Sequence, residues 1–146
     1  MRGGTLNVPA IVGFAAAYEK AVRDMEKNNA AIEALFKAFL DGVTGIDGVE
    51  RNGEGLPAIV NLYIRGAENT AFLLNMDLKG VAVSIGAACA SASVKPSHVL
   101  QAMGMGEERI AQSVRFSFGK DNTLEEIERG VALIKEVALR LRGYQG

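Results

Sequence analysis

The chain contains one cysteine, Cys89, set in a run of small residues, Gly86-Ala87-Ala88-Cys89-Ala90-Ser91-Ala92-Ser93. A single cysteine cannot close an intramolecular disulfide, whereas its thiolate can act as a nucleophile or carry a sulfur atom. The common fate of a lone cysteine is to pack as a small buried hydrophobe. A packed position has large apolar neighbours at helix or strand spacing, and this run has alanine, serine and glycine instead. It buries little area against the entropy of ordering it, so a mobile loop bearing the thiol is expected. A second candidate is Arg115, in Ser113-Val114-Arg115-Phe116-Ser117-Phe118, where apolar and polar residues alternate as in a half-buried strand. That alternation confines the arginine to one face. Its guanidinium offers a planar, two-point grip on a carboxylate, although by itself a solvated surface arginine is the better reading, at about three to one. A third is Arg2-Gly3-Gly4-Thr5, whose glycines let backbone approach an anion beside Arg2 and Thr5; a frayed terminus is the alternative. The one histidine, His98, follows Pro96-Ser97 at a helix start and reads as structural or surface. Glu107-Glu108-Arg109 reads as a solvated face.

The elements that must position these residues follow from periodicity. Ile11 to about Leu40 has the composition and the three-, four- and seven-residue apolar spacing of a helix, with a bend expected at Asn28-Asn29. Ala58 to Ile64, β-branched and aromatic between Pro57 and Gly66, reads as a strand, with Val49 to Asn52 as its partner across Gly53-Glu54-Gly55. Glu68 to Met76 reads as a helix, Val81 to Ser84 as a short strand, Pro96 to Gly104 as a short helix and Ser113 to Phe118 as a strand. Thr123-Leu124-Glu125-Glu126 opens a long amphipathic helix with a capping box and carries it to about Arg142. Helices on a small sheet make an α+β layer. With 146 residues the chain has the size of one domain with a core of its own. A formal net charge of −1 gives no basic field for nucleic acid. One histidine and one cysteine argue against a protein-only metal site, no apolar run approaches a membrane span, and the first residues lack a secretory h-region. A cytoplasmic protein without nucleic-acid or membrane partners is the expectation.

Four segments carry a further signal. Ser84-Ile85-Gly86-Ala87-Ala88-Cys89-Ala90-Ser91, with Pro96-Ser97-His98-Val99-Leu100 after it, resembles the active-site loop of the NifS/IscS-type cysteine desulfurases. Arg2-Gly3-Gly4-Thr5-Leu6-Asn7 resembles that family's Arg-Ser-Gly-Thr-x-Asn segment, Leu56-Pro57-Ala58-Ile59-Val60-Asn61 its Leu-Pro-Asn-x-x-Asn, and Val114-Arg115-Phe116-Ser117-Phe118-Gly119 its Ile/Val-Arg-x-Ser-Leu-Gly. The motifs are colinear and span nearly the whole chain. The resemblance implies the small C-terminal domain of a fold-type I, aspartate aminotransferase-like enzyme dependent on pyridoxal phosphate, in which the cofactor acts as electron sink and a loop cysteine takes sulfur from free cysteine as a persulfide, releasing alanine. By position it implies Cys89 as that nucleophile, Arg115 as the substrate-carboxylate residue, and Thr5 with Arg2 as contacts to the cofactor phosphate of a neighbouring subunit. The long loop implies the IscS-like group.

The chain also departs from that pattern. The family's Ser-x-His-Lys cofactor segment and its Gly-Pro-x-Gly turn are absent, and no lysine stands in that context. Ile85, Ala87 and Ala90 replace hydroxyl residues of the loop. The expectation is therefore residues 1–10 as an interface and phosphate-loop remnant and 11–146 as the small domain, with the cysteine loop at about 84–95, inactive and without pyridoxal phosphate when alone. Its expected partners are a cofactor-bearing large domain or split partner, a second copy in a homo-oligomer, and a sulfur acceptor such as an iron–sulfur scaffold. A stand-alone sulfur carrier and part of a selenocysteine lyase are the alternatives.

Overall fold

The computed structural model describes residues 3–86 and 96–143. Cys89 and Arg2, with the loop expected around the thiol, lie outside the described residues. The amino-terminal helical region is two helices, α1 (Val8–Arg23) and α2 (Met25–Val43), where periodicity suggests one. The break falls at Asp24 and not at Asn28-Asn29. The Asp24 carboxylate accepts from Lys20 Nζ at 2.9 Å and Arg23 Nε at 3.1 Å, closing the last turn of α1; those bonds hold its pKa below the ordinary carboxylate value. The start of α1 moves forward to Val8 because Asn7 Oδ1 caps it, accepting from Ala10 N–H at 3.2 Å, with Pro9 in the first turn. No residue of α1 is buried, and Ile11, Phe14, Tyr18 and Val22 are exposed. α2 instead seats Leu35, Phe39 and Val43, one per turn, in the core.

Three antiparallel strands, β1 (Val49–Arg51), β2 (Ile59–Ile64) and β3 (Ser113–Ser117), form a sheet in the order β1-β2-β3. The register sets Val60 opposite Phe116, Leu62 opposite Val114 and Asn61 opposite Arg115. Alternation gives the sheet an apolar face of Val60, Leu62, Ile64, Val114 and Phe116, all buried. On this face pack α2, α3 (Asn69–Leu78), which contributes Phe72 and Met76, and α6 (Leu124–Gly143), which contributes Ile127, Ile134, Val137 and Ala138. The opposite face is more polar and carries Arg115.

Two further expectations change. Val81 to Ser84 does not form a strand: only Ser84 pairs, in a single antiparallel bridge to Arg115. Gly80 at φ +77° and Gly86 at φ +60° turn the chain on either side and limit pairing to that bridge. The short helix after Pro96 is α4 (His98–Ala102), and a second, α5 (Glu107–Ala111), follows it. Gly104 at φ +78° separates the two.

The capping box of α6 is present: Thr123 Oγ1 accepts from Glu126 N–H at 3.2 Å, and Glu126 Oε2 accepts from Thr123 N–H at 3.0 Å. The Thr123 amide and the Asn122 side chain hold the Glu126 carboxyl below its ordinary pKa, and Lys79 does the same for Glu136. A carboxyl depressed in the folded state stabilises above its unfolded pKa, and that stabilisation is lost as pH falls through the folded value. Thermal melts should therefore hold near neutrality and decline once pH drops below the ordinary carboxylate range. Glu126→Gln, which keeps the box but cannot ionise, should flatten that decline. An unchanged acid slope in this variant would count against the assignment.

Candidate functional site

A cleft of about 950 Å³ opens on the polar face of the sheet. Asn61, Ser84, Gly86, Ser97, His98 and Arg115 are among its walls. Gly86 and Pro96, the last and first described residues on either side of the segment bearing Cys89, both line it.

Arg115 is placed by its backbone on both edges. On one side it stands opposite Asn61 of β2. On the other its N–H donates to Ser84 O at 2.8 Å, and Ser84 N–H donates to Arg115 O at 3.0 Å. Val114 and Phe116, buried on the reverse face, keep its side chain toward the cleft. The side chain is half-buried, and Nε is fully buried with no hydrogen-bond partner among the described residues. A buried N–H without an acceptor costs about 1–3 kcal/mol, and more on a charged group. Arg115 makes no ion pair among the described residues. A carboxylate entering the cleft would supply both the missing acceptor and the missing charge.

The other candidates separate from Arg115. Thr5 is exposed ahead of α1 and does not line the cleft. His98 lines the cleft from the start of α4 but is itself exposed. Among the described residues no group of three or more His, Cys, Asp or Glu could hold a metal ion, and no helix is long and apolar enough to cross a membrane.

Sequence reasoning missed the layer beside Arg115. Arg109, read as part of a solvated face, turns inward from α5. Its Nε donates to Asn52 Oδ1 at 2.7 Å, its Nη1 donates to Glu50 at 2.8 Å, and its guanidinium carbon lies 4.5 Å from the centre of the Tyr63 ring. Asn52, buried just after β1, donates through Nδ2 to Asn61 Oδ1 at 2.7 Å and to Ser113 Oγ at 2.8 Å. Fifty-seven residues separate Arg109 from Asn52, so no local pattern could join them. The available signal was on β3 and β2: Ser113, Arg115 and Asn61 occupy strand positions of one parity, and a polar set on one face calls for partners.

Comparison with known proteins agrees with this architecture. The cysteine desulfurase IscS of Pseudoalteromonas translucida (strain TAC 125) is 42% identical over 146 residues, covering 97% of this chain and 36% of that protein. IscS of Enterobacter sp. (strain 638) is 41% identical over 145 residues, covering 97% and 35%. The solved structure of a NifS-like protein from Rickettsia africae ESF-5 superposes with a TM-score of 0.79 at 30% identity, covering 93% of this chain and 36% of that one. The chain thus spans about a third of the length of the relatives it matches. The family model described as Aminotransferase class-V matches residues 1–129, from the segment before α1 through the sheet and into α6. A match over that span, on a fold shared with a NifS-like protein, makes the chain a member of the class-V aminotransferase family.

Proposed function

We propose that this chain supplies the carboxylate-binding residue and the sulfur-accepting thiol of a cysteine desulfurase whose pyridoxal phosphate is held by a domain outside it. The observation that carries the reading is the buried Nε of Arg115, without a partner among the described residues, in a cleft bounded by both flanks of the Cys89 segment. The cofactor does not fit the described cleft: none of the described lining residues is a lysine, the amine that anchors pyridoxal phosphate as an imine, and Thr5 stands apart from it. Residues 1–10 serve the phosphate and the interface, Arg2 and Thr5 among them, and residues 11–146 form the small domain.

In this reading Arg115 holds the carboxylate of free cysteine. The Cys89 thiolate attacks the substrate sulfur. A sulfur–sulfur bond forms, the carbon–sulfur bond of the substrate breaks, and its electron pair leaves with carbon, which takes a proton to give alanine. Cys89 retains the sulfur as a persulfide for a protein acceptor such as an iron–sulfur scaffold. Cys89 follows Ser84 by five positions in the sequence, and a contour of at most about 18 Å is short enough for the reading to hold. The exposed apolar residues of α1 suit it to cover by the missing domain or by a second copy in a homo-oligomer. The cytoplasm is the setting that suits a persulfide chemistry sensitive to oxidation.

The test combines the purified chain with a separately expressed pyridoxal phosphate-bearing domain and free cysteine. Alanine should be released, and Cys89 should gain the mass of one sulfur atom. Cys89→Ala should abolish both. Association of the two domains without alanine or adduct would remove the desulfurase reading.

A further inference from the structure

We infer that Asn61 is a second donor to the carboxylate bound at Arg115, and that Arg109 sets its orientation through Asn52. The inference rests on the carboxylate reading of Arg115 and extends it to Asn61, the last residue of the Leu56 to Asn61 motif, and to Asn52 and Arg109, which lie in none of the four motifs. An amide oxygen and nitrogen are interchangeable in shape, so their placement must come from their partners. Arg109 can only donate, so the Asn52 atom facing its Nε at 2.7 Å is the oxygen. Asn52 therefore turns its nitrogen toward Asn61 and Ser113. Ser113 Oγ accepts it, because that hydroxyl gives its own hydrogen to Arg109 O at 2.6 Å. Asn61 must then meet Asn52 with its oxygen, at 2.7 Å. This leaves Asn61 Nδ2 as the free end of its amide, with no acceptor among the described residues, on a side chain that lines the cleft.

Asn61 stands opposite Arg115 in the register of β2 and β3. Side chains at such positions share a face with Cβ atoms about 4.5–5.5 Å apart. Two donors at that separation can engage the two oxygens of one carboxylate. Arg109 is itself locked by the ion pair to Glu50 and by the Tyr63 ring, so the donor sense of the relay is fixed before a ligand arrives. Asn61 is thus a binding residue, while Arg109 and Asn52 are positioning residues. The relay commits the cleft to anions, since a flipped Asn61 would present an acceptor and repel them.

The test is an NMR titration of the isotope-labelled full chain with sodium acetate, following the side-chain N–H signals of Arg115 and Asn61. Both should move along one saturation curve. Asn61→Ala should weaken acetate binding about tenfold, the loss of one hydrogen bond to a charged group. Asn52→Ala, which changes no charge, should weaken it by a smaller factor and diminish the Asn61 response. Arg109→Lys should keep more of that response than Arg109→Met, because it retains a cationic donor. Amide dispersion shows that each variant is folded. An Arg115 response with a silent Asn61 in the unmodified chain would overturn the inference and leave the carboxylate reading of Arg115 intact. Silence at both residues would overturn the two together.

Discussion

Arg115→Met should give a chain that is at least as stable as the original and a reconstituted enzyme that hardly binds cysteine. The two halves of this expectation come from one atom. Nε of Arg115 is buried without a partner, and the guanidinium makes no ion pair among the described residues. Methionine fills similar space without a charge or donor, so the variant sheds an unsatisfied group worth about 1 kcal/mol or more. For a chain of this size that is an upward shift of Tm of about 2–4 °C. Binding moves the other way. A two-point grip on a carboxylate, at about 1.5–3 kcal/mol per charged hydrogen bond, corresponds to a rise in KM for cysteine of about 100-fold or more. Arg115→Lys should recover little of it, because an ammonium lacks the planar fork. Thermal melts and steady-state kinetics on the same preparations decide the matter. A melt lowered by several degrees would mean that the guanidinium holds the fold together and is not reserved for a ligand.

Arg115 was legible in the sequence because strand alternation is local: Val114 and Phe116 on one side fix it on the other, and the register bears that out. The capping box of α6 was legible for the same reason, since its bonds join residues three apart. What escaped depends on groups that meet only after folding. The helix break is an exception: Asp24 pairs with Lys20 and Arg23, four and one residues away, but the Asn28-Asn29 composition suggested a bend elsewhere. Val81 to Ser84 has strand composition, but two glycine turns confine its pairing to Ser84. Arg109 resembles any helix-surface arginine until α5 packs beside β1 and β2, where Asn52, Glu50 and the Tyr63 ring hold it. The family motifs include Arg115 and Asn61 but not Asn52, Ser113 or Arg109, which join them only when β2, β3, α5 and the residue after β1 come together.

The face of the sheet that holds Arg115 depends on the opposite face, and Phe39 is where that dependence is greatest. Phe39 is 2% exposed, and its ring lies 5.3 Å from that of Phe116 and 4.9 Å from that of Phe118, centre to centre. It fastens α2 to the strand that presents Arg115. Phe39→Ala removes the ring and leaves a cavity that rigid strands cannot collapse to fill, at a cost of about 3–5 kcal/mol. Against a total stability of about 5–15 kcal/mol for a domain, that is a large share. The Tm should fall by about 10 °C or more. Phe14→Ala supplies the contrast: the same substitution on α1, where Phe14 is 73% exposed and no residue is buried, should stay within about 0.5 kcal/mol. Urea unfolding of both variants measures the difference. Equal losses would mean that α1 is packed in solution against something as apolar as the core, and a loss below about 1 kcal/mol at Phe39 would mean that α2 does not hold β3. With Phe39 intact, Phe116 stays on the core face, and strand alternation then leaves Arg115 no direction but the cleft.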